Sequence, residues 1–292
     1  MKMHEDEVHT DVPLVRRLLA AQFPEWASLP IERVSSPGTV NALYRLGDEL
    51  VVRLPRMDWG VRAVDRELRW LPKIAPLLPV AISVPLAKGA PAEGYPWEWG
   101  VYAWLKGENP TVGESESLAR ELAGFVHALH AIELPGGPPT GRPPLEQWDE
   151  TVRGALAALK GVIDTGAAAA AWEASLRPSS STSSPVWIHA DLMPGNVLVQ
   201  GGTLTGVIDW GGFGMGEPAW DFTIAWNLLA AGSREVFRAA VDADDAAWLR
   251  GRGFALCTGL AALPYYAETN PVLADNARYR IGEVLGDYKR GP

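Results

Sequence analysis

The chain has 292 residues, 47% hydrophobic and 21% charged, a composition that buries a core and a length that suits two domains. Its net charge of −9 disfavours nucleic acid as a partner, because phosphate binding needs concentrated Lys and Arg. A single cysteine, Cys257, excludes an internal disulfide and a Cys-based zinc site.

The opening MKMHEDEVH is acidic, and no apolar run reaches about eighteen residues, so neither a signal peptide nor a membrane span is predicted and a cytoplasmic location is expected. Residues 11–22, DVPLVRRLLAAQ, predict a helix capped by Asp11 with Pro13 in its first turn. Residues 40–46 and 49–55, joined through Gly47-Asp48, predict a hairpin and with it a small antiparallel sheet. A helix is expected over 61–71, where Val64, Leu68 and Leu71 share one face, and another strand over 99–105 after Pro-punctuated segments.

After Gly107 the pattern turns helical. Leu118, Leu122, Phe125, Val126, Leu129 and Ile132 trace one face of 115–132, and 153–176 is Ala-rich, so both predict helix. RPSSSTSSP at 177–185 has the composition of an exposed loop. Further helices are expected over 219–231, 234–250, 252–265 and 276–288. The fold class is therefore α+β, with a division near 106–107 between a sheet-bearing part, 1–106, and a mostly helical part, 107–292. Charge follows that division. The first part holds 13 Lys+Arg against 13 Asp+Glu and the second 13 against 22. This is either ordinary solubility charge or a sign that the first part handles an anion and the second accepts a cationic substrate.

Residues 186–212 read VWIHADLMPGNVLVQGGTLTGVIDWGG. A short strand (186–188) enters the polar loop HADLMPGN, which exits into a hairpin turned at Gly201-Gly202. That register places Asn196 within a residue or two of Asp209 across the paired strands, on the order of 5 Å apart. An amide oxygen and a carboxylate are hard ligands suited to Mg²⁺. Asp191, in the same loop, is a candidate general base beside the metal. Singly, such residues serve turn backbones as readily; the spaced combination points to phosphate chemistry.

HADLMPGN, VIDWGG and GEPAWD (216–221) resemble the motifs of the aminoglycoside phosphotransferase family, small-molecule kinases with a protein-kinase-like bilobal fold, and the resemblance extends across the chain. It implies a small N-terminal antiparallel-sheet lobe that binds nucleotide (1–106) and a larger, mostly helical lobe for catalysis and substrate (107–292). It also implies that Asp191 orients or deprotonates the acceptor hydroxyl, that Asn196 and Asp209 hold Mg²⁺ on the ATP phosphates, and that His189 and Asp221 brace the catalytic loop. Alignment and charge neutralisation are what phosphoryl transfer chiefly needs.

The nucleotide side departs from the family pattern. No Walker A run and no GxGxxG is present; the equivalent turn, 35–41, has one glycine, Gly38, followed by Thr39, and is either a plain turn or a looser phosphate cover. Arg53 stands where family members commonly have lysine, a planar fork in place of an ammonium. Glu67 lies on the apolar stripe of the 61–71 helix. It is either the edge of a solvated face or, as the kinase-like resemblance implies, the partner of Arg53. By the same resemblance the strand 101–105 leading into Lys106-Gly107 is the interlobe hinge, with Tyr102 just before the groups at the adenine edge, the Ala103 carbonyl and the Leu105 amide.

The implied activity is transfer of the ATP γ-phosphate to a hydroxyl of a small molecule, an aminoglycoside or other antibiotic first, with macrolides, choline-like alcohols and sugar-amine adducts as further acceptors. The missing glycines and Arg53 motivate a rival, a nucleotide-binding pseudokinase. A metal-dependent phosphohydrolase using Asp191 and Asp209 is a third reading, short of the extra His and Asp ligands that a two-metal centre wants. His127 and His130, three apart, would share a metal or, more simply, pack and cap. The tryptophans, Trp70, Trp226 and Trp248 among them, read as core. Tyr265, Tyr266, Glu268 and Asp275 would line an acceptor pocket or an ordinary surface.

Overall fold

The computed structural model describes residues 8–35, 40–57, 63–113, 115–178 and 184–291. The chain divides into two compact units. One comprises Met1–Leu77, Ala81–Lys106 and Gly206–Gly211; the other comprises Leu78–Val80, Gly107–Thr205 and Gly212–Pro292. Residues 78–80 and 206–211 thus exchange sides relative to a single cut at 106–107.

In the first unit, helix α1 (Val12–Gln22) starts where Asp11 accepts from the Leu14 amide at 2.8 Å. The strands are β1 (Ile31–Arg33), β2 (Asn41–Leu46) and β3 (Leu50–Pro55), followed by α2 (Ala63–Ile74), β4 (Ala81–Ile82), β5 (Pro85–Gly89) and β6 (Trp99–Ala103). Five of them form an antiparallel sheet in the order β1-β2-β3-β6-β5. Alternation along β2 turns Ala42, Tyr44 and Leu46 inward, where they pack with Leu14, Val15, Leu18 and Leu19 of α1 and with Val52, Leu54, Trp99 and Val101. That period of two is the sheet's own. β4 pairs in parallel with Gly206 and Val207. The expected turn bearing Gly38 and Thr39, and residues 61–62 of the expected helix, lie outside the described residues.

In the second unit, α3 (Glu116–His130) is capped by Ser115 and buries Leu118, Leu122, Phe125, Val126 and Leu129 of the expected face, while Ile132 falls past its end and is half-buried. The Ala-rich stretch is not one helix. It forms α4 (Asp149–Ala158) and α5 (Thr165–Leu176), separated because Gly161 takes φ 84° and Asp164 caps a new start on the Ala167 amide at 3.0 Å. β7 (Val186–Ile188), β8 (Val197–Gln200), β9 (Thr203–Val207) and β10 (Gly214–Gly216) follow, with β7 and β10 antiparallel and Gly201-Gly202 turning the β8–β9 hairpin at positive φ. Residues 218–223 are a 3-10 turn rather than the expected start of a helix, which is reduced to the single turn α6 (Ile224–Asn227).

The break expected at 251 is also displaced. α7 (Ala231–Val241) ends at a left-handed Asp242, φ 54°, and α8 (Asp245–Tyr266) runs unbroken through Gly251 and Gly253. These glycines are packing contacts: a Cβ on Gly251 would stand 2.8 Å from Phe222 Cβ, and one on Gly253 2.8 Å from Leu145. α9 (Pro271–Arg290) closes the unit against α8. Trp70, Trp226 and Trp248 are core as read, all three buried, with the rings of the last two 4.5 Å apart. No helix among the described residues is long and apolar enough to cross a membrane.

Candidate active site

The loop after β7 is built around a fully buried carboxylate. Asp221 accepts the backbone amides of His189 at 3.0 Å and Ala190 at 2.8 Å, and His130 Nε2 approaches it at 3.1 Å. These bonds hold Ala190 in the left-handed region, φ 67°, a conformation a non-glycine residue keeps only when its surroundings dictate it. His189, itself buried, accepts the Asp191 amide on Nδ1 at 3.2 Å, so its proton sits on Nε2. The backbone is thereby turned so that the Asp191 side chain is 45% exposed above a buried base.

Asn196 ends the 3-10 turn Pro194–Asn196. Its Nδ2 donates to the Asp191 carbonyl at 2.8 Å and to Asp191 Oδ2 at 3.2 Å, which leaves Oδ1 as the atom for a cation. Asn109 fastens the same turn, donating to the carbonyls of Gly195 at 3.1 Å and Val197 at 2.9 Å, and Asn227 donates to the Leu192 carbonyl at 3.2 Å. Neither asparagine is part of a motif, and no sequence signal marks them. His130 has its role through Asp221, and no group of three metal-ligating side chains occurs among the described residues.

In the first unit Arg53 and Glu67 form a buried ion pair at 2.6 Å, both nearly free of solvent. Tyr102 Oη donates to the same Glu67 oxygen at 2.6 Å, and its ring lies 4.4 Å from the guanidinium. Gly100 permits this, since a side chain there would stand 2.6 Å from the Tyr102 ring. Glu67 on the apolar stripe is therefore a partner and not a solvated edge. Burial alone would lower the Arg53 pKa, but Glu67, Tyr102 and Asp209 together raise it; burial pushes Tyr102 well above the usual phenol range. Tyr102, which the sequence placed only before the hinge, is thus the third member of this cluster.

Asp209 lies in the Gly206–Gly211 segment of the first unit with a left-handed backbone, φ 60°, and its charge acts on Arg53. Arg66 of α2 donates to the Gly211 carbonyl in the same segment. Ala103 ends β6 opposite Leu50, and Leu105 follows it, half-buried. The structure thus brings His189, Asp191, Asn196 and Asp221 together in one unit, and Arg53, Glu67, Tyr102 and Asp209 in the other. Gly38 and Thr39 are outside the described residues.

Each unit taken by itself offers suitable donor chemistry: the second has the Asn196 amide oxygen, a hard ligand for a divalent cation, and the first has the Asp209 carboxylate and a guanidinium anchored by Glu67 whose Nε is buried without a partner. Buried polar atoms of that kind are ordinarily satisfied.

The fold is that of the kinase-like aminoglycoside phosphotransferases. The chain aligns with the GDP and kanamycin complex of APH(2")-IIia at a TM-score of 0.70 and 19% identity, over 95% of this chain and 99% of that one. Residues 32–254 match the model of the phosphotransferase enzyme family known as APH, and the chain belongs to that family. It is 26% identical over 221 residues to YcbJ of Bacillus subtilis (strain 168), spanning 71% of this chain and 62% of that protein. It is 31% identical over 121 residues to an aminoglycoside 3'-phosphotransferase of Escherichia coli, spanning 37% and 42%. The match thus spans less than two thirds of the length of either curated relative.

Proposed function

We propose that the protein transfers the γ-phosphate of a nucleoside triphosphate, ATP by the sequence reading, to a hydroxyl of a small molecule. The observation that carries this is the construction beneath Asp191: a buried carboxylate, two histidines and a strained Ala190 all serve to present one half-exposed carboxylate with Asn196 bonded to it. Such second-layer support is what a positioned catalytic group needs.

In this reading Asp191 orients the acceptor hydroxyl and takes its proton as the acceptor oxygen bonds to the γ-phosphorus; the bond from that phosphorus to the β–γ bridging oxygen breaks and the nucleoside diphosphate departs. Asn196 and Asp209 are the proposed Mg²⁺ ligands, and the bound ion would neutralise charge on the phosphates. Arg53, held by Glu67 and Tyr102, faces phosphate oxygens. Ala103 and Leu105 offer backbone groups to the base, and Gly38 and Thr39 cover the phosphates. Met1–Lys106 is proposed as the nucleotide-binding lobe and the remainder as the catalytic lobe. The names of the similar proteins, with kanamycin and GDP in one of them, make aminoglycosides and other antibiotics the first acceptors to assay and leave ATP against GTP to the same experiment. A cytoplasmic location completes the proposal.

Transfer of labelled γ-phosphate across a panel of hydroxylated acceptors tests it. Asp191→Asn is expected to lower turnover by about 10²–10⁴-fold with little change in nucleotide affinity; an unchanged rate removes Asp191 from this role. The buried, carboxylate-bound Arg53 in place of lysine favours one second reading, a nucleotide-binding protein without turnover. Calorimetric titration showing tight nucleotide binding, with transfer to none of the panel, would select it.

A further inference from the structure

One guanidinium of the second unit, Arg142, pairs with Asp191, and a second, Arg280, is tied to the same loop from another element. Arg142, between α3 and α4, sets Nη2 3.6 Å from Asp191 Oδ1, a loose ion pair longer than a hydrogen bond. Its side chain is 33% exposed and lies 5.4 Å from the Trp220 ring. Arg280 of α9 is only 9% exposed. It donates to Thr258 Oγ1 at 2.7 Å and to Asn276 Oδ1 at 2.8 Å, and its Nε is buried with no partner.

Arg280 differs from the other buried arginines. Arg53 has Glu67, Arg234 has Glu283 and Asp287, Arg250 has Glu146 and Glu217, and Arg252 has Asp287. Among the described residues Arg280 has no carboxylate within ion-pair distance. Burying a guanidinium without a counter-charge is costly, and proteins seldom leave one so. Burial pulls its pKa down to about 10, opposed by the charge of Asp191. Asn276 in turn donates to the Asn227 carbonyl at 3.2 Å, and Asn227 donates to the Leu192 carbonyl at 3.2 Å, which ties Arg280 to the loop that carries Asp191.

We propose that the acceptor carries an oxyanion group, a carboxylate or a phosphate ester, which Arg280 and Arg142 bind beside Asp191. The proposal rests on the phosphotransferase reading above and narrows its substrate class. Arg280 supplies a charge lacking its complement, and Arg142 turns from Asp191 to the ligand without breaking a hydrogen bond. Guanidinium forks are suited to both oxyanions. A polyamine would bring ammonium groups to a place already holding two cations, an arrangement that selects against it. The acidic excess of residues 107–292 does not oppose this: Asp245 and Asp275 are exposed, 87% and 75%, and the less exposed Glu217, Asp221, Glu283 and Asp287 are bonded to arginines or backbone amides.

The test uses the whole chain and four probes: D-glycerate, glycerol 3-phosphate, glycerol and kanamycin. Binding is read first, from the side-chain Nε–H resonances of isotope-labelled arginine, with the two signals assigned through Arg142→Gln and Arg280→Lys. Glycerate or glycerol 3-phosphate should shift both signals, the stronger of the two telling carboxylate from phosphate, while glycerol and kanamycin leave them in place. Signals unmoved by either acid, or moved by kanamycin, overturn the proposal. Transfer is read second. The KM of the acidic acceptor should rise about ten- to a hundredfold in Arg142→Gln, the loss expected for a hydrogen bond to a charged group; an unchanged KM overturns the proposal. Arginine signals that answer to the acid in a protein that phosphorylates nothing would uphold this inference and remove the kinase reading. Silent arginines in a protein that phosphorylates kanamycin would do the reverse.

Discussion

Asp221 shows how much one side chain carries. Its carboxylate closes two backbone amides and meets His130, 91 residues earlier in the chain, so Asp221→Asn would set an amide donor against backbone donors. We expect a loss of about 2–3 kcal/mol in urea unfolding together with lost turnover; a variant of unchanged stability would mean that Ala190 is held by other contacts. The Arg53–Glu67–Tyr102 cluster makes a graded prediction. Glu67→Gln leaves a buried guanidinium uncompensated and should cost about 3–5 kcal/mol. Tyr102→Phe removes one hydrogen bond to a charged group and should cost about 1.5–3 kcal/mol. Denaturant midpoints in the reverse order would show that Tyr102, and not Glu67, organises the cluster.

At the scale of elements, α8 is where local pattern and packing part company. The expected helices 234–250 and 252–265 leave a break at Gly251, and because glycine is a poor helix former, alanine at Gly251 or Gly253 in an exposed helix would stabilise by about 1 kcal/mol. Here the helix continues because both positions are pressed against Phe222 and Leu145. Gly251→Ala and Gly253→Ala should therefore destabilise, by the roughly 1–3 kcal/mol typical of overpacking; raised melting temperatures would refute that account. Conversely, the Ala-rich stretch has no apolar periodicity to mark its interruption, and only Gly161 and the Asp164 cap divide it. Where turn chemistry was written in neighbouring residues, at Gly47, Asp11 and Gly201-Gly202, elements were legible from the sequence.

For the molecule as a whole, acid is expected to destabilise. The hydrogen bond from Arg250 holds Glu146 below the usual carboxylate range, and that from Arg153 does the same for Asp149. A carboxyl whose folded pKa is depressed contributes stability that is fully present above its unfolded value, about 4 to 4.5, and lost as pH falls through the folded value. The melting temperature should thus be level down to about pH 5 and drop below it; a rise on acidification would contradict the sign. Burial also pushes the Cys257 thiol well above its ordinary pKa, so a native protein should resist alkylation at this cysteine until it unfolds.

The sequence by itself determined the strand–loop–hairpin around HADLMPGN, the family resemblance, the α+β class and the pairing of Arg53 with Glu67 that the resemblance implied. The hairpin and the fold class follow from residue spacing and turn chemistry, which act over a few positions, and the pairing from the resemblance alone. Only the tertiary structure decided what lies behind and beside them: Tyr102 under Arg53, Asn109 and Asn227 on the loop carbonyls, Arg142 at Asp191, and Arg280 tied to that loop through Asn276 and Asn227. These partners stand tens of residues away with no periodic mark, and packing, not local preference, sets which side chains meet. The same cause explains the charge: net charge adds over the whole chain, whereas the charge beside Asp191 is the one guanidinium, Arg142, that the fold brings within 3.6 Å of it.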